Sequence, residues 1–220
     1  MNCGVAVFSD YDGTLADKKD EFRIRREVEE AIMEFRRKGN IFALISGREV
    51  EKLITLFPRA DEVCDFLILE EGALIIDKER TIINAEVNWF KRRIELAERL
   101  KAKFRINLGR AIIYVDRAAP YVNEVIEIVG DAGYVHVNRD DVMIVPKGIN
   151  KGSSAKMLIQ EKGIECPIVA IGDALNDIEL FNVADYRVAV GNALPKLKEM
   201  ADVVLEREDG EGVIDFLSSF

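Results

Sequence analysis

Four apolar runs of four or five residues constrain the fold of this chain more than any other feature. They are Val5-Ala-Val-Phe8, Ile41-Phe-Ala-Leu-Ile45, Phe66-Leu-Ile-Leu69 and Ile168-Val-Ala-Ile171. None alternates apolar with polar residues. A strand that is apolar on both sides must be covered on both faces, the condition of a parallel sheet flanked by helices. Helical patterns separate the runs. Val28, Ile32 and Phe35 share one side of a helix that begins with Glu27, Glu29 and Glu30 and closes on Arg36-Arg-Lys38-Gly39. That order suits the macrodipole and a glycine stop. A shorter helix, about Glu49 to Phe57, ends before Pro58. The first half reads as βαβαβ, and the expected fold class is α/β, with a doubly wound parallel sheet.

Between about Ile82 and Met143 the rhythm changes. A long amphipathic helix, Val87 to about Phe104, precedes the strand Ala111–Val115, and a helix from about Tyr121 to Val129 precedes strands Tyr134–Val137 and Val142–Val145. Strands without intervening helices point to an antiparallel sheet, so this segment is expected to be a small inserted α+β cap. Alternating elements then resume with helices at Ser153–Glu161, Asn176–Val183 and Pro195–Met200, strands at Arg187–Val190 and Val203–Leu205, and a last helix from about Gly212. The expected domains are a discontinuous core of residues 1–80 and 147–220 and a cap of 81–146.

Two of the apolar runs end in acids: Asp10-Tyr-Asp12-Gly-Thr14 follows the first, and Gly172-Asp173-Ala-Leu-Asn176-Asp177 follows the last. Open α/β sheets bind their ligands at the carboxyl ends of their strands. Carboxylates gathered there repel one another, and a hard divalent cation with oxygen ligands resolves the repulsion. Mg2+ is the expected choice when a phosphate is the other partner. A carboxylate can attack a phosphate once charge repulsion is offset, and a second can protonate the leaving alcohol and later activate water, a role that asks for a raised pKa. The second run ends at Ser46-Gly47-Arg48, small residues that let backbone approach a phosphate. Lys151-Gly152-Ser153 opens a helix with a point charge for it, in the reverse order of a P-loop. Lys147 is the rival lysine. His136, the only histidine, lies mid-strand and reads as structural or merely exposed, as Trp89 and Phe90 read as packing.

Composition narrows the partners. At 220 residues and 49% hydrophobic the chain can build a full core. A net charge of −9 argues against nucleic acid, and no stretch approaches the length of a membrane span. The opening apolar run is short and leads straight into Asp10, so it reads as a strand rather than a signal peptide. Cys3, Cys64 and Cys166 are scattered and odd in number, and are expected to be reduced thiols of a cytoplasmic protein. Charge is uneven: from Arg80 to Arg117, ten Lys or Arg face four acids. A basic segment beside an acidic core would draw in small anions. The partner is expected to be a small phosphorylated metabolite, and the chain a monomer or homodimer.

Taken in order, Asp10-x-Asp12-Gly-Thr14, Ser46-Gly47, Lys151-Gly152 and Gly172-Asp173-x-x-Asn176-Asp177 resemble the four motifs of the haloacid dehalogenase (HAD) superfamily, whose core is Rossmann-like. The insertion resembles the C2B cap of its class IIB phosphatases. The resemblance implies that Asp10 is a nucleophile forming an aspartyl-phosphate and Asp12 the general acid/base. It implies that Asp10, the main-chain carbonyl of Asp12 and Asp173 bind Mg2+, with Asp177 supporting the metal directly or through water. Ser46, the Gly47 amide and Lys151 would hold the phosphate, with Asn176 beside them. Size and cap look most like the archaeal phosphoglycolate phosphatases, ahead of sugar-phosphate phosphatases and of phosphomannomutase-like phosphotransferases. A cap arginine, Arg110 or Arg117, would then read the substrate carboxylate. One departure stands out: Glu71-Gly72 occupies the place where the family usually has Asn-Gly.

Overall fold

The computed structural model describes residues 3–138 and 140–220. In chain order its elements are β1 (Ala6–Asp10), α1 (Arg26–Arg37), β2 (Ile41–Ile45), α2 (Val50–Leu56), α3 (Ala60–Val63), β3 (Phe66–Leu69), β4 (Leu74–Ile76) and β5 (Thr81–Ile83). Next come α4 (Trp89–Lys101), β6 (Ile106–Leu108), β7 (Ile113–Val115), α5 (Val122–Val129), β8 (Tyr134–Asn138) and β9 (Asp141–Val145). The chain ends with α6 (Lys151–Lys162), β10 (Ile168–Gly172), α7 (Ile178–Phe181), β11 (Tyr186–Ala189), α8 (Pro195–Met200), β12 (Val203–Val204) and α9 (Asp209–Ser218).

One sheet runs β12-β11-β10-β1-β2-β3-β4-β5, parallel from β12 to β3. Every residue of β1, β2, β3 and β10 is buried, as their unbroken apolar runs require. Val28, Ile32 and Phe35 of α1, Ala155 and Leu158 of α6, and Val213 and Leu217 of α9 join them in one core. Because β1 lies between β2 and β10, Asp10, Ser46 and Asp173 come together at the carboxyl ends of three adjacent strands.

Two edge elements lie outside the sequence expectation. β4 and β5 form an antiparallel hairpin on β3, closed by Asp77, whose carboxylate accepts from the amides of Glu79 at 2.7 Å and Arg80 at 2.8 Å. Thr81–Ile83 is therefore part of the large sheet, and the inserted unit begins after Ile83 rather than at residue 81. That unit is a four-stranded antiparallel sheet, β6-β7-β9-β8. On one face Ile113, Val115, Val142 and Ile144 pack against Trp89, Leu96 and Leu100 of α4 and Val125 and Val129 of α5. Trp89 is core, as read from the sequence, with its indole N–H donating to the Ala111 carbonyl at 2.6 Å. Ile112, Tyr114, Met143 and Val145 face the other way and pack with Ala73 of the core.

The cysteines are a correction. Cys3 and Cys166 form a disulfide, with Cα atoms 5.6 Å apart, and are not free thiols. They lie 163 residues apart in sequence but just before the paired starts of β1 and β10, where Ala6 is opposite Ile168. No spacing rule could pair them, because their proximity is a consequence of strand order. Cys64 is free and buried, and burial pushes its thiol well above the ordinary range.

Candidate active site

Lys151 is the first residue of α6. The helix is capped by Asn150, whose side-chain oxygen accepts from the Ser153 amide at 2.7 Å while the Ser153 hydroxyl accepts from the Asn150 amide at 3.0 Å. Gly152 is required for the next step. A Cβ there would lie 2.0 Å from the Glu179 carbonyl oxygen, so only glycine lets α6 come this close to α7. That approach drives Lys151 into the core, where it is 1% exposed. Its ammonium donates to Asp10 Oδ1 at 2.6 Å and to Asp177 Oδ1 at 2.7 Å. Lys147, the rival candidate, is instead exposed and lies 3.5 Å from Asp131.

Asp177 is engaged at both oxygens. Oδ2 accepts from the amides of Asp173 and Ala174, each at 3.0 Å, and so shapes the loop after β10. The Thr14 hydroxyl lies 3.4 Å from Asp173 Oδ1 and joins the first motif to the last. Asp10, Asp173 and Asp177 offer carboxylate oxygens that all lie within 4.8 Å of one another. Burial and the Asp177 carboxylate push the Asp10 carboxyl well up, against the pull of Lys151. Burial also opposes the charge on Lys151, but Asp10 and Asp177 outweigh it and hold the ammonium well above the usual lysine range. The ion pair is the state the geometry supports, because two carboxylates converge on one ammonium. Three acids against one lysine leave two negative charges unmatched, and an all-oxygen donor set of that charge fits a hard divalent cation.

The other wall of the site brings in residues that the motifs had not assigned. Arg48 grips Asp12, with Nε 2.9 Å from Oδ2 and 3.0 Å from Oδ1, while its guanidinium lies over the Phe22 ring at 5.2 Å. The Arg48 amide donates to the Ser46 hydroxyl oxygen at 3.1 Å. The signal was present in Ser46-Gly47-Arg48, but the Arg48 partner lies 36 residues away and is fixed only by strand order. Glu70 is a second such residue. It is fully buried, and its carboxylate accepts from three successive cap amides, Arg110 at 2.8 Å, Ala111 at 2.7 Å and Ile112 at 3.1 Å. Glu70 and Glu71 both adopt positive φ, 53° and 56°, a strained conformation that these contacts hold in place.

A cavity of about 260 Å³ opens above these groups, lined by Asp10, Asp12, Gly47, Lys151, Asp173 and Asn176 from the core and by Val137 from the cap. Ser46, the neighbour of Gly47 in the chain, is fully buried and does not line the cavity. A second cavity of about 250 Å³ shares Asp12 and Gly47 and continues between core and cap past Arg48, Lys52 and Tyr114. Arg110 and Arg117 line neither. Arg110 is paired with Glu51 at 2.9 Å, and Arg117 lies in a separate cleft with Arg105, Asp116 and Asp141. They flank the strand as the sequence suggested, but the cap sheet turns its Tyr114 and Met143 side toward the site and leaves them at its margins.

A profile of the haloacid dehalogenase-like hydrolases matches residues 7–128 and 114–217. The chain belongs to that family. Among its relatives, a phosphoglycolate phosphatase of Sulfurisphaera tokodaii is 40% identical over 96% of this chain and 92% of its own length. Phosphoglycolate phosphatase 2 of Saccharolobus solfataricus is 39% identical over 97% and 91%. Among solved structures, a Thermoplasma acidophilum protein superposes with a TM-score of 0.81 at 19% identity, covering 99% of this chain and 98% of that one. A HAD subclass IIB sugar phosphatase superposes with a TM-score of 0.75 at 20% identity over 98% of both chains. These likenesses show the same fold, a Rossmann-like core with a cap, for this HAD-like hydrolase. Among the described residues no helix is long and apolar enough to cross a membrane.

Proposed function

We propose that this chain hydrolyses phosphoglycolate to glycolate and phosphate through an aspartyl-phosphate on Asp10, with Mg2+ held at the acidic cluster. The convergence of Lys151 on Asp10 and Asp177 at the floor of the cavity carries this reading. Asp10, Asp173 and the main-chain carbonyl of Asp12 would hold the ion, with Asp177 behind them. Bound there, the cation would offset the carboxylate charge and polarise the phosphoryl oxygens. Lys151 fixes one Asp10 oxygen and leaves the other free to attack phosphorus. Gly47, at the cavity surface, would admit the phosphate oxygens, with the buried Ser46 next to it in the chain, and Asn176 stands at the same rim. Asp12 gives a proton to the leaving alkoxide and later takes one from water, which requires Arg48 to release part of its grip.

Two archaeal relatives with this substrate in their names, each matched almost end to end, favour phosphoglycolate over a neutral sugar phosphate. The substrate carboxylate would extend toward the second cavity, where Arg48 and Lys52 are the lining cations in place of Arg110 and Arg117, each giving up a carboxylate partner, Asp12 or Glu49, to receive it. A panel of phosphate monoesters assayed with Mg2+ and with EDTA tests the proposal. Phosphoglycolate is expected to show the highest kcat/KM, and EDTA to abolish turnover. A far higher kcat/KM for a neutral sugar phosphate would overturn the substrate, and full activity after exhaustive chelation would overturn the metal-assisted phosphatase.

A further inference from the structure

The register of β7, β9 and β8 sets Tyr114, Met143 and His136 side by side across the cap sheet. Tyr114 and Met143 face the core, and paired residues of an antiparallel sheet share a face, so His136 faces it too. The three side chains press on one small region. The Tyr114 hydroxyl donates to the Gly47 carbonyl at 2.8 Å. A Cβ on Gly47 would lie 3.2 Å from Met143 Cε and 2.5 Å from Glu71 Oε1, so the glycine is confined between cap and Glu71. His136 Nδ1 stands 3.9 Å from Glu71 Oε2.

Glu71 is the residue that departs from the family's Asn-Gly. It is 1% exposed. Asn176 Nδ2 donates to its Oε1 at 3.4 Å, but Oε2 has no hydrogen-bond partner. A buried carboxylate oxygen without a donor is costly, and its charge stands beside Gly47, Asn176 and Lys151, the groups that would receive a dianionic phosphate. Among the described residues Lys151 interacts with the Glu71 charge, but no other ionisable group around His136 supplies Glu71 Oε2 with a donor. Lys151 lies beyond Glu71 and is already committed to Asp10 and Asp177. Asp141 on the paired strand accepts from the Arg117 amide at 2.8 Å. On the opposite face α5 packs through Val125 and Val129, with Glu127 exposed and Glu124 bonded to Lys103.

We propose that His136 is a positioning residue whose imidazolium pairs with Glu71 when the cap settles on substrate, cancelling the stray negative charge of the phosphate-binding wall. The inference rests on the phosphatase reading and deepens it. At 3.9 Å the two groups are within ion-pair reach but short of a hydrogen bond, so a small movement of the cap completes the contact. Imidazole changes its charge near neutrality. Substrate phosphate and the proton on His136 therefore favour one another, and by linkage the coupling is reciprocal.

The test compares wild type, His136→Gln, His136→Lys, Glu71→Gln and the double variant Glu71→Gln/His136→Gln. KM and kcat for p-nitrophenyl phosphate and competitive inhibition by inorganic phosphate are measured with Mg2+ from about pH 5.5 to about pH 8.5. At the acid end His136→Gln is expected to raise KM and the inhibition constant about fivefold to tenfold with kcat little changed, and the gap should close as pH rises. His136→Lys keeps its charge and should hold the low KM at the alkaline end. With Glu71 neutralised, adding His136→Gln should change nothing. An unchanged KM in His136→Gln at all pH values, or its full penalty persisting in the double variant, would overturn the proposal. Should Glu71→Gln fail to fold, as judged by circular dichroism, the pH-dependent contrast of His136→Gln with His136→Lys decides it alone. Calorimetric binding of inorganic phosphate to the same variants reports on the pair even if no monoester is hydrolysed, an outcome that would overturn the phosphatase reading instead.

Discussion

The floor of the cavity and the wall that faces the cap are both lined by ionised side chains, yet they are wired in opposite ways. On the floor Lys151 and Asp177 are closed off from solvent, and every contact comes from the core. On the wall the Arg48 and Asp12 side chains are 22% and 17% exposed, and Glu71 looks across to a histidine of another domain. A buried, doubly paired ammonium has no cheap alternative partner, because any rearrangement strands a charge in the interior. A partly hydrated pair can exchange partners for substrate groups or water at little cost. The floor thus suits what every phosphate monoester shares, and the wall suits what differs between them and what must move during a cycle.

The floor is where the largest effects are expected. Asp10→Asn should reduce turnover by at least about a thousandfold, because an amide is no nucleophile for the phosphoryl group. Rapid-quench trapping should find phosphate on the wild-type protein and none on the variant. Near-normal activity in Asp10→Asn would remove the floor from the chemistry altogether.

Stability separates floor from wall more directly. Lys151→Met leaves Asp10 and Asp177 facing each other without a cation and should cost about 3–5 kcal/mol in urea unfolding under chelating conditions. Arg48→Gln, at the partly exposed wall, should cost less, about 1–2 kcal/mol. Equal losses in the two variants would break the distinction between them. Added Mg2+ should recover part of the Lys151→Met loss and less of the Arg48→Gln loss, since the former leaves its excess charge within the Asp10, Asp173 and Asp177 cluster itself.

The disulfide offers a smaller and cleaner contrast. It ties the amino ends of β1 and β10, a strand's length from the acids at their carboxyl ends. Replacing both Cys3 and Cys166 by Ser should cost about 2–4 kcal/mol by releasing a long closed loop in the unfolded chain. KM and kcat at a permissive temperature should stay as in wild type. A changed KM would mean that the far end of the sheet communicates with the site.

Much of the core sheet and of the candidate site was legible because their signals are local. Runs such as Ile41–Ile45 announce strands buried on both faces, and Asp10, Ser46 and Asp173 are placed simply by ending such strands. Lys151 was legible through the Lys-Gly that opens α6, where Asn150 and Ser153 form a capping box. The short strands β4, β5 and β6 were not, because three residues are too few to show a period. The α-helix Ile178–Phe181 is shorter than the expected Asn176–Val183, because its entry, Leu175–Asp177, is a 3-10 turn in which the Asp177 carboxylate accepts from the Asp173 and Ala174 amides.

By itself, the sequence determined the class of sheet, the order of its elements and the carboxylates that end its strands, since these depend on hydrophobic period and on residue type. The tertiary structure decided which charges meet: Arg48 with Asp12, Glu70 with three cap amides, His136 with Glu71, and Cys3 with Cys166. Those partners lie tens of residues to more than a hundred apart along the chain. A charge or thiol carries no periodicity that could signal a distant partner, so only the register of strands and the docking of one sheet on another bring the two together.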